Sequence, residues 1–268
     1  MYGAILGDII GAPYEFGMGD KSKCFPLFSE ESRFTDDTVM TIAVAEALME
    51  VNTDMPDEKI KDIIIDSLKK WGRKYPSAGY GERFGLWLYF DDRNPYNSFG
   101  NGSAMRVSSA AWLFDDIETV RRMARLSAEV THNHPEGIKG AEATACAIFM
   151  ARKGENKKNI KCYVENEFGY DLSRKLDDIR PYYRHIESCM QTVPEAIISF
   201  LEGESFEDTV RNAVSLGGDA DTLAAIAGSI AEGYFGIEEN LKDECKKRLD
   251  KELGSVLDKF EEKIKGDE

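Results

Sequence analysis

The chain has 268 residues, 42% of them hydrophobic and 31% charged, with a formal net charge of −15. That length and apolar content are enough for one sizeable core, and the scattered acidity excludes an unassisted nucleic-acid or membrane surface. An anionic small molecule would need metal, helix N-termini or local Arg to hold it. Cys24, Cys146, Cys162, Cys189 and Cys245 are odd in number, widely spaced and without a CxxC pair. They read as reduced thiols of a cytoplasmic protein.

The chain opens on MYGAILGDIIGAP, which has no basic leader and carries Asp8 in its apolar run, so a signal peptide is not expected. Gly3, Gly7 and Gly11 recur every four residues, which lets a second helix approach along that side. Pro13 stops or kinks this helix near Ala12, so Glu15 falls on the loop just after it. Asp8 reads as a buried cap or hydrogen-bonding group. The loop from Glu15 to Arg33 holds Phe16, Phe25 and Phe28, either packed in the core or arranged as an aromatic lid.

Thr35-Asp36-Asp37-Thr38 opens the next helix, VMTIAVAEALMEV, which is apolar or small on almost every side. EKIKDIIIDSLKKW then places Ile60, Ile63, Ile64, Leu68 and Trp71 on one stripe. Ala78-Gly79-Tyr80-Gly81-Glu82 is a turn, or a backbone surface pressed against a ligand. Ser98-Phe99-Gly100-Asn101-Gly102-Ser103-Ala104-Met105-Arg106 is a second glycine-rich turn, with a helix expected over AMRVSSAAWLF. Its N–H groups can hold phosphate, with Gly102 expected at positive φ.

IETVRRMARLSAEV and GIKGAEATACAIFMARKG read as amphipathic helices. Between them lies Thr131-His132-Asn133-His134-Pro135, with two of the three histidines. Zinc needs further soft ligands that are not evident, so one His lining a polar pocket is the better reading. Residues 153–184 read as polar and irregular. SFEDTVRNAVSL starts with Ser205 and Asp208 at capping-box-like spacing. Asp219-Ala220-Asp221-Thr222 opens LAAIAGSIAEGYFG, a second buried helix. The tail 237–268 is a charged amphipathic helix or pair. Alternating strand patterns are nearly absent and no stretch is long and apolar enough to span a membrane. The fold expected is all-α, a single compact multi-helix domain over 1–268.

The two acidic helix starts carry most of the functional information. Capping by Thr35 and Asp219 explains one polar residue at each start, but not two adjacent acids and a D-x-D-T. Burying four carboxylates beside apolar helices is very costly unless cations neutralise them. The two motifs are therefore expected to meet and share hard metal ions, since Asp and Thr oxygens suit Mg²⁺, Mn²⁺ or Ca²⁺. No nucleophile elbow, P-loop or dinucleotide fingerprint is present. DADT is like the nucleophile motif of haloacid-dehalogenase-type phosphotransferases, but here it follows Gly217-Gly218 late in a helical chain.

In order along the chain stand GDIIGAPYE, FTDDTVM, PSAGYGERF, SFGNGSAMR, THNHPEG and SLGGDADTLAAIAGSIAEGYFG. In this combination the chain resembles the ADP-ribosylglycohydrolase family, including the dinitrogenase reductase-activating glycohydrolases, over about residues 3–236. The resemblance implies an all-α fold with a binuclear Mg²⁺ or Mn²⁺ centre that cleaves ADP-ribose from modified targets or smaller conjugates. It puts metal binding on Thr35, Asp36 and Asp37, and on Asp219, Asp221 and Thr222. As in some members, it gives Glu15 a contact with the metal centre; the mechanism expected on that basis has Asp36 or Asp37 position the water and Glu15 bridge the metals to the sugar or water, so catalysis is expected of Glu15, Asp36 and Asp37. It matches the phosphate and ribose loop to Gly100, Asn101, Gly102, Ser103, Met105 and Arg106, the adenosine-side His to His132, and a ligand wall to Gly79, Tyr80 and Gly81. The implied partner is an ADP-ribose-containing substrate, with an ADP-ribosylated protein as one kind of target. This chain is shorter than many relatives, which leaves less material for loops that dock a protein. The rival reading is a module that binds ADP-ribose or nucleotide without turnover. Loss of a metal ligand would favour it, and no ligand is missing.

Overall fold

The computed structural model describes residues 1–17 and 21–266. Among them the chain is all-α with no β-strand, and one isolated bridge pairs Gly100 with Ser188. The helices are α1 (Tyr2–Gly11), α2 (Asp36–Met49), α3 (Asp57–Lys74), α4 (Glu82–Tyr89), α5 (Gly102–Met105), α6 (Ser108–Leu113), α7 (Ile117–Glu129) and α8 (Pro135–Arg152). They continue as α9 (Lys157–Phe168), α10 (Leu176–Ile179), α11 (Cys189–Glu202), α12 (Phe206–Val214), α13 (Ala220–Phe235), α14 (Glu239–Arg248) and α15 (Lys251–Gly266). No helix is long and apolar enough to cross a membrane. The five cysteines are unpaired.

The closest packing is between α1 and α13, and glycine makes it. A Cβ at Gly3 would lie 2.1 Å from the Gly228 carbonyl oxygen, one at Gly7 2.1 Å from that of Ala224, and one at Gly11 2.5 Å from Asp221 Cα. No side chain fits there, so the every-fourth-residue glycines are the condition for this contact. Glu232 of α13 reaches back to accept the Tyr2 and Gly3 N–H groups at 3.0 and 2.8 Å, capping α1. Beyond Gly11 the chain tightens into a 3₁₀ turn over Ala12–Tyr14, with Pro13 inside it, and Glu15 follows as an extended residue. α13 also packs on α8, α11 and α12, while α2 packs on α1, α3, α6 and α15.

Two stretches differ from the sequence expectation, and the tail follows it. Residues 153–184 contain α9, capped by Asn156, which accepts the Asn159 N–H, and ended by Gly169 at φ 68°. Only Ile160, Val164 and Phe168 of α9 are buried, a stripe too thin to read as periodicity. The helix expected over AMRVSSAAWLF breaks into α5 and α6 at Arg106–Val107, and the turn brings the Arg106 side chain inward. The tail is a helix pair, α14 and α15.

Candidate metal centre and ligand cleft

The site begins with a cap supplied from another helix. Asp8, buried on α1, accepts the Thr35 N–H at 2.9 Å and the Thr35 hydroxyl at 2.8 Å. It also accepts the Thr38 N–H and hydroxyl. Asp8 therefore caps α2 rather than its own helix; burial raises its carboxyl above the ordinary value, against the hydrogen bonds from Thr35 and Thr38 that lower it. Thr35 in turn accepts the Asp37 N–H at 3.3 Å. On the other side, Gly217 and Gly218 take φ of 71° and 75°, a conformation open to glycine, and swing Asp219 to the start of α13. The Gly218 carbonyl accepts the Phe16 N–H at 3.1 Å, which fastens the Glu15 loop beside Asp219.

The two acidic motifs meet. The Thr222 hydroxyl of α13 donates to Asp37 of α2, with Oδ2 at 3.1 Å. Carboxylate oxygens of Asp8, Asp37 and Asp221 lie within 4.8 Å of one another, as do those of Glu15, Asp219 and Asp221. Asp221 belongs to both triads. Among the described residues, no Lys or Arg forms an ion pair with any of these groups. The consequence is a strong shift toward the protonated forms. Burial, then Asp8 and Asp219, push the Asp36 carboxyl up to about 8. Burial, then Asp219, push Glu15 up to about 7. Asp37 and Asp221 are raised as well, by burial first and by their acidic neighbours second. An all-oxygen set with that much unbalanced negative charge fits hard divalent cations.

The acids form one end of a cleft of about 370 Å³. It is lined by Glu15, Asp36, Asp37, Asp219, Asp221 and Thr222, and by Gly79, Gly81, Gly100, Asn101, Gly102, Met105, Arg106 and His132. Thr35, Tyr80 and Ser103 are not on its wall. Thr35 is tied to Asp8, the Tyr80 hydroxyl is buried without a partner, and the Ser103 hydroxyl donates to the Gly137 carbonyl at 2.7 Å.

The turn at Gly100–Ser103 does two jobs. Asn101 Nδ2 donates to Asp219 Oδ2 at 2.6 Å, so this residue orients an acid of the opposite motif. The Gly100 and Asn101 N–H groups are taken by Ser98 Oγ and the Glu187 carbonyl. Those of Gly102 and Ser103, the first two of α5, have no acceptor within the helix. Gly102 is helical rather than at positive φ, which corrects the sequence expectation. Glycine is favoured there for another reason: a Cβ would sit 3.2 Å from His132 Nε2, a tight contact.

The far end of the cleft is cationic. Arg106 is fully buried, and its Nη2 donates to the Ser127 carbonyl at 2.7 Å and to the Thr131 hydroxyl at 2.8 Å. Its Nε has no partner and no carboxylate pairs with it among the described residues. Burial lowers this guanidinium to about 10. The Thr131 hydroxyl also meets His132 Nδ1 at 2.7 Å, so Arg106, Thr131 and His132 form one chain of contacts. Burial, then Arg106 and Arg83, hold His132 well below its ordinary value, so its ring is neutral. His134 acts elsewhere, with its Nδ1 accepting the Glu136 N–H at the start of α8.

Sequence reasoning passed over His185, Glu187 and Tyr96, which also line the cleft together with Ser98 of the glycine-rich turn. His185 stacks on Phe16 with ring centroids 4.6 Å apart, and its Nε2 lies 3.0 Å from Glu187. These residues lie in irregular segments with no local motif to flag them. Of the three aromatics considered for a lid, only Phe16 lines the cleft, exposed and at φ 58°. Phe25 packs between Tyr14 and Arg211, and Phe28 lies against Arg248. Residues 18–20 of that loop lie outside the described residues.

The ADP-ribosylglycohydrolase family model matches residues 1–267. The chain therefore belongs to the ADP-ribosylglycohydrolase family, and it is a hydrolase acting on ADP-ribose linkages. Among curated proteins it is similar to "ADP-ribosylhydrolase ARH3" of Mus musculus, 27% identical over 318 residues, covering 88% of this chain and 83% of the relative. The Homo sapiens protein of that name is 26% identical over 317 residues, with 88% and 84% covered. An uncharacterized protein of Archaeoglobus fulgidus is 28% identical over 287 residues, with 90% of each covered. Among solved structures, an "ADP-ribosylglycohydrolase-related protein complex" superposes with a TM-score of 0.67 at 24% identity, covering 95% of this chain and 94% of its own. That likeness concerns the fold.

Proposed function

We propose that this chain is a divalent-cation-dependent ADP-ribosylhydrolase that splits the glycosidic bond between ADP-ribose and an attached group. The observation that carries this reading is the polarity of the cleft. One end holds carboxylates with no cationic partner, and the other holds a buried guanidinium with no carboxylate partner. A diphosphate bound toward Arg106, with its ribose beside cation-loaded acids, would satisfy both ends. Asp36, Asp37, Asp219 and Asp221 would hold two Mg²⁺ or Mn²⁺ ions, assisted by Thr222 and the remaining lone pair of the Thr35 hydroxyl. The two triads sharing Asp221 support a count of two.

Hydrolysis breaks the bond from the ribose anomeric carbon to the leaving atom and forms one to a water oxygen, through an oxocarbenium-like sugar. Bound divalent ions would orient the ribose hydroxyls and lower the pKa of a water. Asp36 or Asp37 accepts a hydrogen bond from that water and fixes its approach. Glu15 faces the sugar from the cleft wall. Gly102 and Ser103 offer N–H groups to a phosphate oxygen, and neutral His132 contacts the adenosine side. Gly79 and Gly81 supply a wall without side chains. At Gly79, φ of 112° and an Asp36 oxygen 3.3 Å from a Cβ position favour glycine independently. The unpaired cysteines fit a cytoplasmic setting. The test is a turnover panel of defined ADP-ribose conjugates with Mg²⁺, Mn²⁺ or chelator, read by mass spectrometry. Release of ADP-ribose that requires the ion supports the reading. Metal-dependent binding of ADP-ribose without release from any conjugate would return the chain to the class of non-catalytic binding modules.

A further inference from the structure

A second cavity, of about 520 Å³, lies against the first and shares Glu15, Phe16, Asp36 and Gly79 with it. Arg106 and His132 line the first cavity and not this one. Its own walls are Phe34, Tyr75 and Pro76, and its lining also includes Arg33 and Lys74. Phe34 and Tyr75 meet edge to face with centroids 5.9 Å apart, and Tyr75 is backed by Trp71, stacked at 5.9 Å. The Tyr75 hydroxyl donates to Asp250 at 2.7 Å, which fixes the ring from its far end. These contacts make a rigid aromatic corner. Lys74 is paired with Glu252. Arg33 is exposed and, among the described residues, has no ion pair or side-chain hydrogen bond.

We propose that this cavity is the subsite for the leaving group, and that it selects one with a flat ring followed by an anionic substituent. The inference rests on the reading of the first cleft as the ADP-ribose site. If ADP-ribose fills the cleft with its anomeric carbon beside Asp36 and Glu15, the group attached to that carbon is directed past the shared wall. Three kinds of wall meet in this one cavity: the carboxylates shared with the first cleft, the Phe34 and Tyr75 rings, and the Arg33 side chain, which among the described residues has no ion pair. A flat ring packs against the Phe34–Tyr75 corner, and a negative group beyond it meets Arg33. A cationic group at the same place faces Arg33 and Lys74 and is disfavoured.

The experiment uses conjugates of ADP-ribose to 4-methylphenol, 4-(carboxymethyl)phenol and 4-(aminomethyl)phenol, which differ mainly in far-end charge, and one to a simple alcohol. The full chain should bind and turn over the carboxylate best and the ammonium worst, and should bind the alcohol conjugate more weakly than the neutral ring. Arg33→Glu, at an exposed position outside the machinery of the cleft, should lower the carboxylate-to-ammonium ratio of kcat/KM by about tenfold, as expected for reversing one exposed charge pair. Its melting temperature and its affinity for free ADP-ribose should not change. An unchanged ratio in Arg33→Glu, or equal affinities for the ring and alcohol conjugates, would overturn the subsite. If none of these conjugates is cleaved, the turnover panel above decides the hydrolysis reading, and calorimetry of the intact conjugates decides the subsite by the same two comparisons.

Discussion

The two ends of the cleft are opposite solutions to the same electrostatic problem. At the acidic end, Asp36, Asp37, Asp219, Asp221 and Glu15 stand together with no basic partner, and burial with mutual repulsion forces the pKa values of Asp36, Asp37, Asp221 and Glu15 up. At the other end Arg106 is buried without an acid and its pKa is forced down. Arg106 lies inside the protein yet never crosses the cleft to neutralise the acids. An interior built for stability alone would bring such groups together, since each unpaired buried charge costs on the order of several kcal/mol. Keeping them apart leaves each end demanding a counter-charge from outside. The lesson is that an unpaired charge on a cavity wall reports on the ligand, and here the two ends report opposite signs.

The sharpest way to break this comparison is to neutralise the acidic end. Asp36→Asn and Asp221→Asn should lower turnover by about a thousandfold or more, in the range seen when a key electrostatic group is lost. Circular dichroism should stay helical, because the shape is kept. Near-normal turnover in either variant with metal bound would remove that residue from the site.

At the other end the expected effect is an affinity change. Gly102→Val puts bulk 3.2 Å from His132 Nε2, at a position whose backbone is helical and so not strained by the substitution. ADP-ribose affinity should fall by about tenfold or more if the diphosphate approaches there, while metal binding stays intact. Calorimetry giving the wild-type affinity would make this segment an ordinary turn.

The whole fold should respond to metal and pH as well. Chelation should lower the melting temperature, and Mg²⁺ or Mn²⁺ at a hundred times its Kd should restore about 2.7 kcal/mol. Without metal, the raised carboxyls bind protons more tightly in the folded state than in the unfolded chain. Their stabilising contribution is complete below about pH 4, the ordinary carboxyl range, and is lost as pH rises through about 8, the value for Asp36. The metal-free protein should therefore melt higher at pH 5.5 than at pH 8.5, and saturating metal should reverse that order. A flat pH response without metal would mean the acids are not as crowded as their geometry implies.

The smallest effect separates the aromatics near the cleft. Phe16→Ala should shift relative rates between conjugates while the melting temperature changes little, because the ring is 67% exposed. Phe25→Ala should lower the melting temperature and affect every substrate alike, because it packs between Tyr14 and Arg211. The reverse pattern would put selectivity on the Phe25 side of the loop.

Much of this was legible in the sequence because the physics was local. Gly3, Gly7 and Gly11 announce a close helix contact, Pro13 ends α1 before Glu15, and paired acids at two apolar helix starts announce a cation site. Each signal needs only a period, a steric rule or a desolvation cost. The sequence also separates the acids from the glycine turn. It does not reveal the partners that cross between elements. Asp8 on α1 caps α2, Asn101 holds Asp219, and Arg106 reaches Thr131 and through it His132. His185 and Glu187 reach the cleft from an irregular segment, and Arg33 and Tyr75 meet at a cavity from separate parts of the chain. Those pairings are set by how separate elements pack: α1 on α2 for Asp8, and segments distant in the chain for the rest. Sequence determined which groups could not be buried alone; only the tertiary structure decided which of them would meet, and which would be left for a ligand.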